Sequence, residues 1–190
     1  MSIIDLLVSP GAVVGCLIGI AVTAPHAHNE RECQMATILS LENPVFWTYA
    51  LASLIMLLKL LLQPWMTVVR MMKVGGGFRN PEDAKKSPAN PNPRPGQLEP
   101  NEHVERSRRL NQNDLESIPA FLVAGLLFVL SGPPLIVAQI LIWTYVGARA
   151  AHFLAYATAQ LHDIRAAFWS VSSIAVLGMV GYTFVQVAFK

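Results

Sequence analysis

Long apolar runs alternate with short polar intervals along this chain, and the charged residues collect in the intervals. From Val45 to Met72 the pattern is that of an apolar helix, which ends in Arg70 and Lys73 before the Gly75-Gly76-Gly77 breaker. A helix rising about 1.5 Å per residue needs roughly 20 apolar residues to cross about 30 Å of hydrocarbon, so this run spans a bilayer with some tilt. A second helix is expected to start near Pro100 to Glu102, charged through Glu105, Arg106, Arg108 and Arg109 and apolar from Ile118 to Leu130. The uncharged turn Ser131-Gly132-Pro133-Pro134 leads into a third span, Leu135 to Ala159, and the short polar connection Gln160 to Arg165 leads into a fourth, Phe168 to Phe189. The pattern predicts an all-α membrane protein, a four-helix transmembrane bundle.

Two regions fall outside this pattern. Gly75 to Glu102 is rich in Pro, Asn and Lys, with prolines at 81, 88, 91, 93, 95 and 100, and reads as an exposed loop with little regular structure. Ile3 to Ala24 is apolar but is broken by Pro10 and Gly11 and carries Asp5 with no Lys or Arg at its front, which makes it a poor signal peptide. It fits an extra apolar span, a lumen-side anchor or an extension outside the functional unit. The chain therefore divides into an N-terminal extension, 1–41, and a four-helix domain, 42–190.

Composition agrees with insertion into a membrane: of 190 residues 53% are hydrophobic and 14% charged, where a soluble globule would scatter its charges more evenly. A net charge of +2 and apolar aromatic regions without basic interleaving exclude a nucleic-acid partner. Cys16 and Cys33 are able to pair in an oxidising lumen, although nothing requires it. His26, His28 and Cys33 lack the fourth ligand and the spacing of a structural zinc site, so no metal is expected. Chain parity puts the Gly75–Glu102 and Gln160–Arg165 intervals on one side of the membrane. Arg70, Lys73, Arg79, Lys85, Lys86, Arg94, Arg106, Arg108, Arg109, Arg149 and Arg165 all fall on that side or at the helix ends facing it, which makes it cytoplasmic.

The polar residues at this end are spaced for chemistry. Arg106, Arg109, Asn113 and Glu116 share one helical face, with Asp114 and Arg108 pointing elsewhere. Two guanidinium groups, an amide and a carboxylate suit a small zwitterion of peptide-like charge. The same arginines also fit a plainer role as anchors on lipid phosphates, but the carboxylates beside them are costly near a bilayer unless paired. Arg149, His152 and Tyr156 repeat the arrangement on the third span, and Arg149 is expected to face a protein interior or a wet cavity. Arg165 lies close in depth to Arg70 and Arg109. Converging guanidinium groups draw a thiol, with an ordinary pKa of about 8.5, toward thiolate. The region has no cysteine, so that thiol has to come from a cosubstrate. Lys59, in the middle of the first span, needs a partner, and Glu116 is the expected one.

The run Val104-Glu105-Arg106-Ser107-Arg108-Arg109-Leu110-Asn111-Gln112-Asn113-Asp114-Leu115-Glu116 resembles the Glu-Arg, Arg and Asn-Asp-x-Glu signature of the membrane-associated proteins in eicosanoid and glutathione metabolism. Asn80-Pro81-Glu82-Asp83, Gly147-x-Arg149-x-x-His152-x-x-x-Tyr156 and Arg165 match in the same order, and the resemblance covers roughly Val45 to Lys190. It implies a homotrimer in the endoplasmic reticulum membrane, with the mitochondrial outer membrane as a further location. Glutathione would lie between subunits near the cytoplasmic side, held by Arg109, Asn113, Glu116, His152, Tyr156 and Arg165, with Arg70 reaching in from an adjacent first helix. Arg165 would stabilise the thiolate. Asp83 matches an aspartate assigned to proton transfer in the family's prostaglandin E synthase branch.

Three departures set the expected activity. Ala166 stands where that branch has a serine, Gln112 where it has a basic residue and Trp169 where it has a tyrosine. The Gly75–Gly77 run resembles a short insertion, which blurs the register of Arg70. The expected activity is glutathione transfer to lipophilic electrophiles that arrive through membrane lipid, with reduction of lipid hydroperoxides. Isomerisation of a prostaglandin endoperoxide and a non-catalytic membrane partner of the same fold are the alternatives. The N-terminal segment to about Leu41 has no counterpart in the resemblance.

Overall fold

The structure is a computed structural model that describes residues 37–189. The apolar run Ile3 to Ala24 and the residues Cys16, Cys33, His26 and His28 lie outside the described residues.

Among the described residues four long helices follow in order: α1 (Pro44–Val74), α2 (Glu102–Leu130), α3 (Leu135–Ala157) and α4 (His162–Ala188). Each is long and apolar enough to cross a membrane, and the described residues contain no strand. The ends of the first two are set by residues suited to them. Asn43 caps α1 by accepting from the backbone N–H groups of Val45 at 3.0 Å and Phe46 at 3.5 Å, and Asn101 caps α2 by accepting from those of His103 at 3.1 Å and Val104 at 3.4 Å. Helix α1 stops at Gly75, whose φ of 62° lies in the left-handed region that glycine adopts without steric cost. Helix α4 begins six residues before the expected Phe168, because hydropathy marks where hydrocarbon starts and the helix continues beyond it into polar surroundings.

The bundle is filled along its axis by Met56, Phe121, Phe128, Ile142, Tyr145 and Met179, with the Phe121 and Tyr145 rings stacked at 4.1 Å. Gly125 lets the Tyr49 ring lie directly on α2, since a Cβ there would come within 2.7 Å of it. Tyr49 then donates to the Leu122 carbonyl at 2.7 Å. Outward-facing positions are apolar too, among them Leu58, Leu61, Leu177 and Phe184. Apolar side chains on both the inner and outer faces are what a helix bundle solvated by lipid requires.

The Pro-rich interval is more ordered than its composition suggests. Buried Asn90 and Gln97 pair amide to amide, at 2.8 and 3.2 Å, and Gln97 Nε2 donates to the Gly75 carbonyl at 3.2 Å. Pro81–Ala84 forms one 3-10 turn. Arg108 ties the interval to α2 by donating to the Gly77 carbonyl at 2.7 Å, and Arg79 meets Glu105 at 2.9 Å. This loop and the α3–α4 connection lie at the same end of the bundle: Thr67 near the end of α1 meets Ser107 near the start of α2 at 2.7 Å, and the start of α2 shares a cavity with the α3–α4 connection.

Candidate active site at the polar end of the bundle

A cavity of about 720 Å³ opens between the start of α2, the end of α3 and the start of α4. Helix α2 supplies Glu102, Arg106, Arg109 and Asn113, which recur at helical spacing along one face. Helix α3 supplies His152 and Tyr156, one turn apart, and α4 supplies His162, Arg165, Ala166, Trp169 and Ser170. Ala159 and Gln160 form the floor of the turn between them.

That turn is a built feature. Gln160 N–H donates to the Ala155 carbonyl at 2.9 Å and Ala159 N–H to the Tyr156 carbonyl at 3.2 Å, the paired bonds of a Schellman closure. Ala159 sits at φ 56°, the left-handed position that glycine ordinarily takes. The reversal brings the first turn of α4 back over the last turn of α3. As a result the Arg165 guanidinium carbon lies 4.6 Å from the Tyr156 ring centroid, and the Tyr156 and His152 ring centroids are 5.0 Å apart.

Of the residues expected from the sequence, Arg109, Asn113, His152, Tyr156 and Arg165 come together on this cavity. Arg70, Glu116 and Asp83 do not line it within one chain. Arg70 is half-buried near the end of α1, a helix with no residue on the cavity. Glu116 is exposed and accepts from Gln112 at 3.4 Å, and Asp83 accepts from Asn80 at 3.3 Å in the 3-10 turn. The sequence reading passed over Glu102. Its carboxylate meets Arg109 at 2.6 Å and Arg106 at 3.7 Å, and the available signal was its spacing of seven residues from Arg109 and four from Arg106.

A second polar cluster lies deeper. Asp114, fully buried, accepts from Arg149 Nη2, from Lys59 Nζ and from Gln63 Nε2. Arg149 thus faces the interior, as expected. The expected partner of Lys59 is corrected from Glu116 to Asp114, because two residues along a helix are about 200° apart and it is Asp114 that turns inward. This cluster ties α1, α2 and α3 together beneath the cavity, with Asn113 next to Asp114 and His152 one turn beyond Arg149.

Four-span architecture, the α2 arginines and the α3–α4 constellation coincide with a family match: the model of the MAPEG family fits residues 45–185. The chain belongs to the MAPEG family. Among its relatives, microsomal glutathione S-transferase 1 of Sus scrofa is 39% identical over 120 residues, 62% of this chain and 75% of the relative. The same protein of Rattus norvegicus is 46% identical over 82 residues, 43% of this chain and 46% of the relative. Prostaglandin E synthase of Homo sapiens is 28% identical over 142 residues, 74% of this chain and 89% of the relative.

In this MAPEG chain the cavity offers guanidinium groups to carboxylates and an aromatic and imidazole wall beside Arg165. Among the described lining residues there is no cysteine, and the one carboxylate, Glu102, is engaged by Arg109 and Arg106. Such an arrangement is chemically suited to an anionic or ionisable group carried by a ligand.

Proposed function

We propose that this chain is a membrane-bound glutathione transferase that holds glutathione in the cavity as thiolate and delivers it to lipophilic electrophiles. The observation that carries this reading is the meeting of Arg109, Asn113, His152, Tyr156 and Arg165 on one cavity, whose lining among the described residues includes no cysteine. The arginines suit the two carboxylates of glutathione, and Arg165 suits its sulfur. The names of the relatives support the same assignment.

The chemistry balances without a further cofactor. Arg165 stabilises the thiolate, and the thiol proton leaves to solvent. With an aryl chloride the sulfur forms a bond to the ring carbon and chloride departs with its electron pair. With a lipid hydroperoxide, two glutathione molecules supply two electrons and two protons, giving the alcohol, water and glutathione disulfide. Electrophiles reach the site sideways through the lipid, past Trp169 and Ser170.

The proposed assembly is a homotrimer in the endoplasmic reticulum membrane, with a further location in the mitochondrial outer membrane and the cavity end facing the cytoplasm. Residues 42–190 form the functional unit and 1–41 an extension to it. Arg70 and Glu116, which lie off the cavity in one chain, support a site completed by a neighbouring subunit.

The test is conjugation of glutathione to a chloronitrobenzene by purified protein in detergent, beside Arg165→Ala prepared identically. Turnover by the wild type and its loss in the variant are expected. Binding of glutathione without turnover in either protein would overturn the transferase assignment. It would favour prostaglandin endoperoxide isomerisation, for which the match to prostaglandin E synthase speaks, or a non-catalytic partner.

A further inference from the structure

Arg165 is held in an unusual way for an arginine half-sunk in a bundle. Its Nε is buried with no hydrogen-bond partner, and it makes no ion pair among the described residues. What it does contact is the face of Tyr156, at 4.6 Å, inside the range in which a ring quadrupole attracts a cation. The other charged or titratable groups on the cavity are Glu102, Arg106 and Arg109 from α2, His152 from α3 and His162 from α4. Glu102, the carboxylate among them, is engaged by Arg109 and Arg106.

A carboxylate in place of the ring would hold the guanidinium as firmly but would cancel its field at the cavity. A π-face holds it without supplying a negative charge. The Schellman turn at Ala159 fixes the two helix ends that make the contact, so the geometry is set by the fold before any ligand binds.

We propose that Tyr156 is a positioning residue whose ring face, and not its hydroxyl, holds the Arg165 guanidinium over the cavity with its charge unneutralised, so that it lowers the pKa of a bound thiol. This rests on the glutathione reading above and adds the means by which Arg165 is aimed. Moving a guanidinium from about 4 to about 6 Å from a sulfur anion, at an effective dielectric of about 20, raises the thiol pKa by about one unit.

The experiment is a pH titration of the ultraviolet absorbance of glutathione thiolate bound to the full-length protein in detergent. S-methylglutathione serves as the blank that removes tyrosinate absorbance. Wild type, Tyr156→Phe, Tyr156→Leu and Tyr156→Met are compared, with helical circular dichroism confirming that each is folded. The expected result is a bound-thiol pKa below that of free glutathione in the wild type and in Tyr156→Phe, raised by about one unit in the two aliphatic variants. A pKa in Tyr156→Leu or Tyr156→Met equal to the wild type would overturn the proposal. So would a pKa in Tyr156→Phe as high as theirs, which would place the effect on the hydroxyl; both results leave the glutathione reading standing. Absence of any bound thiolate on the wild type would overturn that reading and this proposal together.

Discussion

Arg149 and Asp114 meet as a fully buried ion pair between α3 and α2, and Lys59 reaches the same carboxylate from α1. Two cations thus share one anion in the interior of a membrane bundle. Asp114 cannot be neutralised without leaving both uncompensated, a situation that costs about 3–5 kcal/mol for a single buried pair. Asp114→Asn is therefore expected to lower the thermal midpoint of the detergent-solubilised protein sharply or prevent its accumulation. Lys59→Met leaves the Arg149 pair intact and removes the excess charge, so its midpoint should stay within the equivalent of about 1 kcal/mol of the wild type. Equal effects of the two substitutions would show that the cluster is not organised around Asp114.

Glu102 presents to Arg109 and Arg106 the same group that a carboxylate ligand would bring. The contact is exposed, with Glu102 at 64% and Arg109 at 46% side-chain exposure, so it is weak and screened by salt. Glu102→Gln frees both guanidinium groups. The KM for glutathione should fall about two- to fivefold at low ionic strength, and the gain should shrink as salt is added. A KM that rises in Glu102→Gln would mean that Glu102 contacts the ligand directly, as a partner for its ammonium group.

The existence of the four spans was legible because hydrocarbon thickness sets a length that few other structures satisfy, and runs such as Leu135 to Ala159, of which the helix takes Leu135–Ala157, meet it without ambiguity. Of the face expected from helical spacing, Arg106, Arg109 and Asn113 reach the cavity, whereas Glu116, placed on the same face, does not. The partner of Lys59 was not. Asp114 and Glu116 are both within reach by sequence, and choosing between them requires knowing which side of α2 faces α1. The start of α4 at His162 was hidden because its first turn is polar and carries no hydropathy signal. Glu102 was passed over for a different reason. Its place at the first position of α2 reads as an ordinary favourable charge near a helix N-terminus, and its second role appears only when Arg109 is seen to turn toward the same cavity.

Ala159 adopts φ 56° at the turn that aims Arg165, where a Cβ crowds the backbone. Glycine takes that conformation freely, although it is also more disordered in the unfolded chain. Ala159→Gly should be neutral or stabilising by up to about 1 kcal/mol, whereas Ala159→Val should destabilise by at least as much. Thermal midpoints of the two variants, measured side by side, check the sign. The Val variant should also lose conjugation activity more steeply than stability, since the turn sets the Tyr156–Arg165 contact.

Arg70 lies on α1, which has no residue on the cavity of its own chain. In the trimer proposed above, an Arg70 that completes the site would come from a neighbouring subunit, and the site would be composite. Composite sites predict complementation. Arg70→Ala and Arg165→Ala should each be close to inactive when expressed alone. Co-expressed in equal amounts, they assemble at random, and a site is intact where an Arg165-bearing subunit meets an Arg70-bearing neighbour, which is about one site in four. Conjugation activity should recover to about a quarter of the wild type, with glutathione KM close to normal in the recovered fraction. Mixing the two proteins after separate purification should restore nothing unless the trimers exchange subunits. If co-expression also restores nothing while both variants are folded and assembled together, Arg70 acts within its own chain, and the site has to be completed from within one subunit.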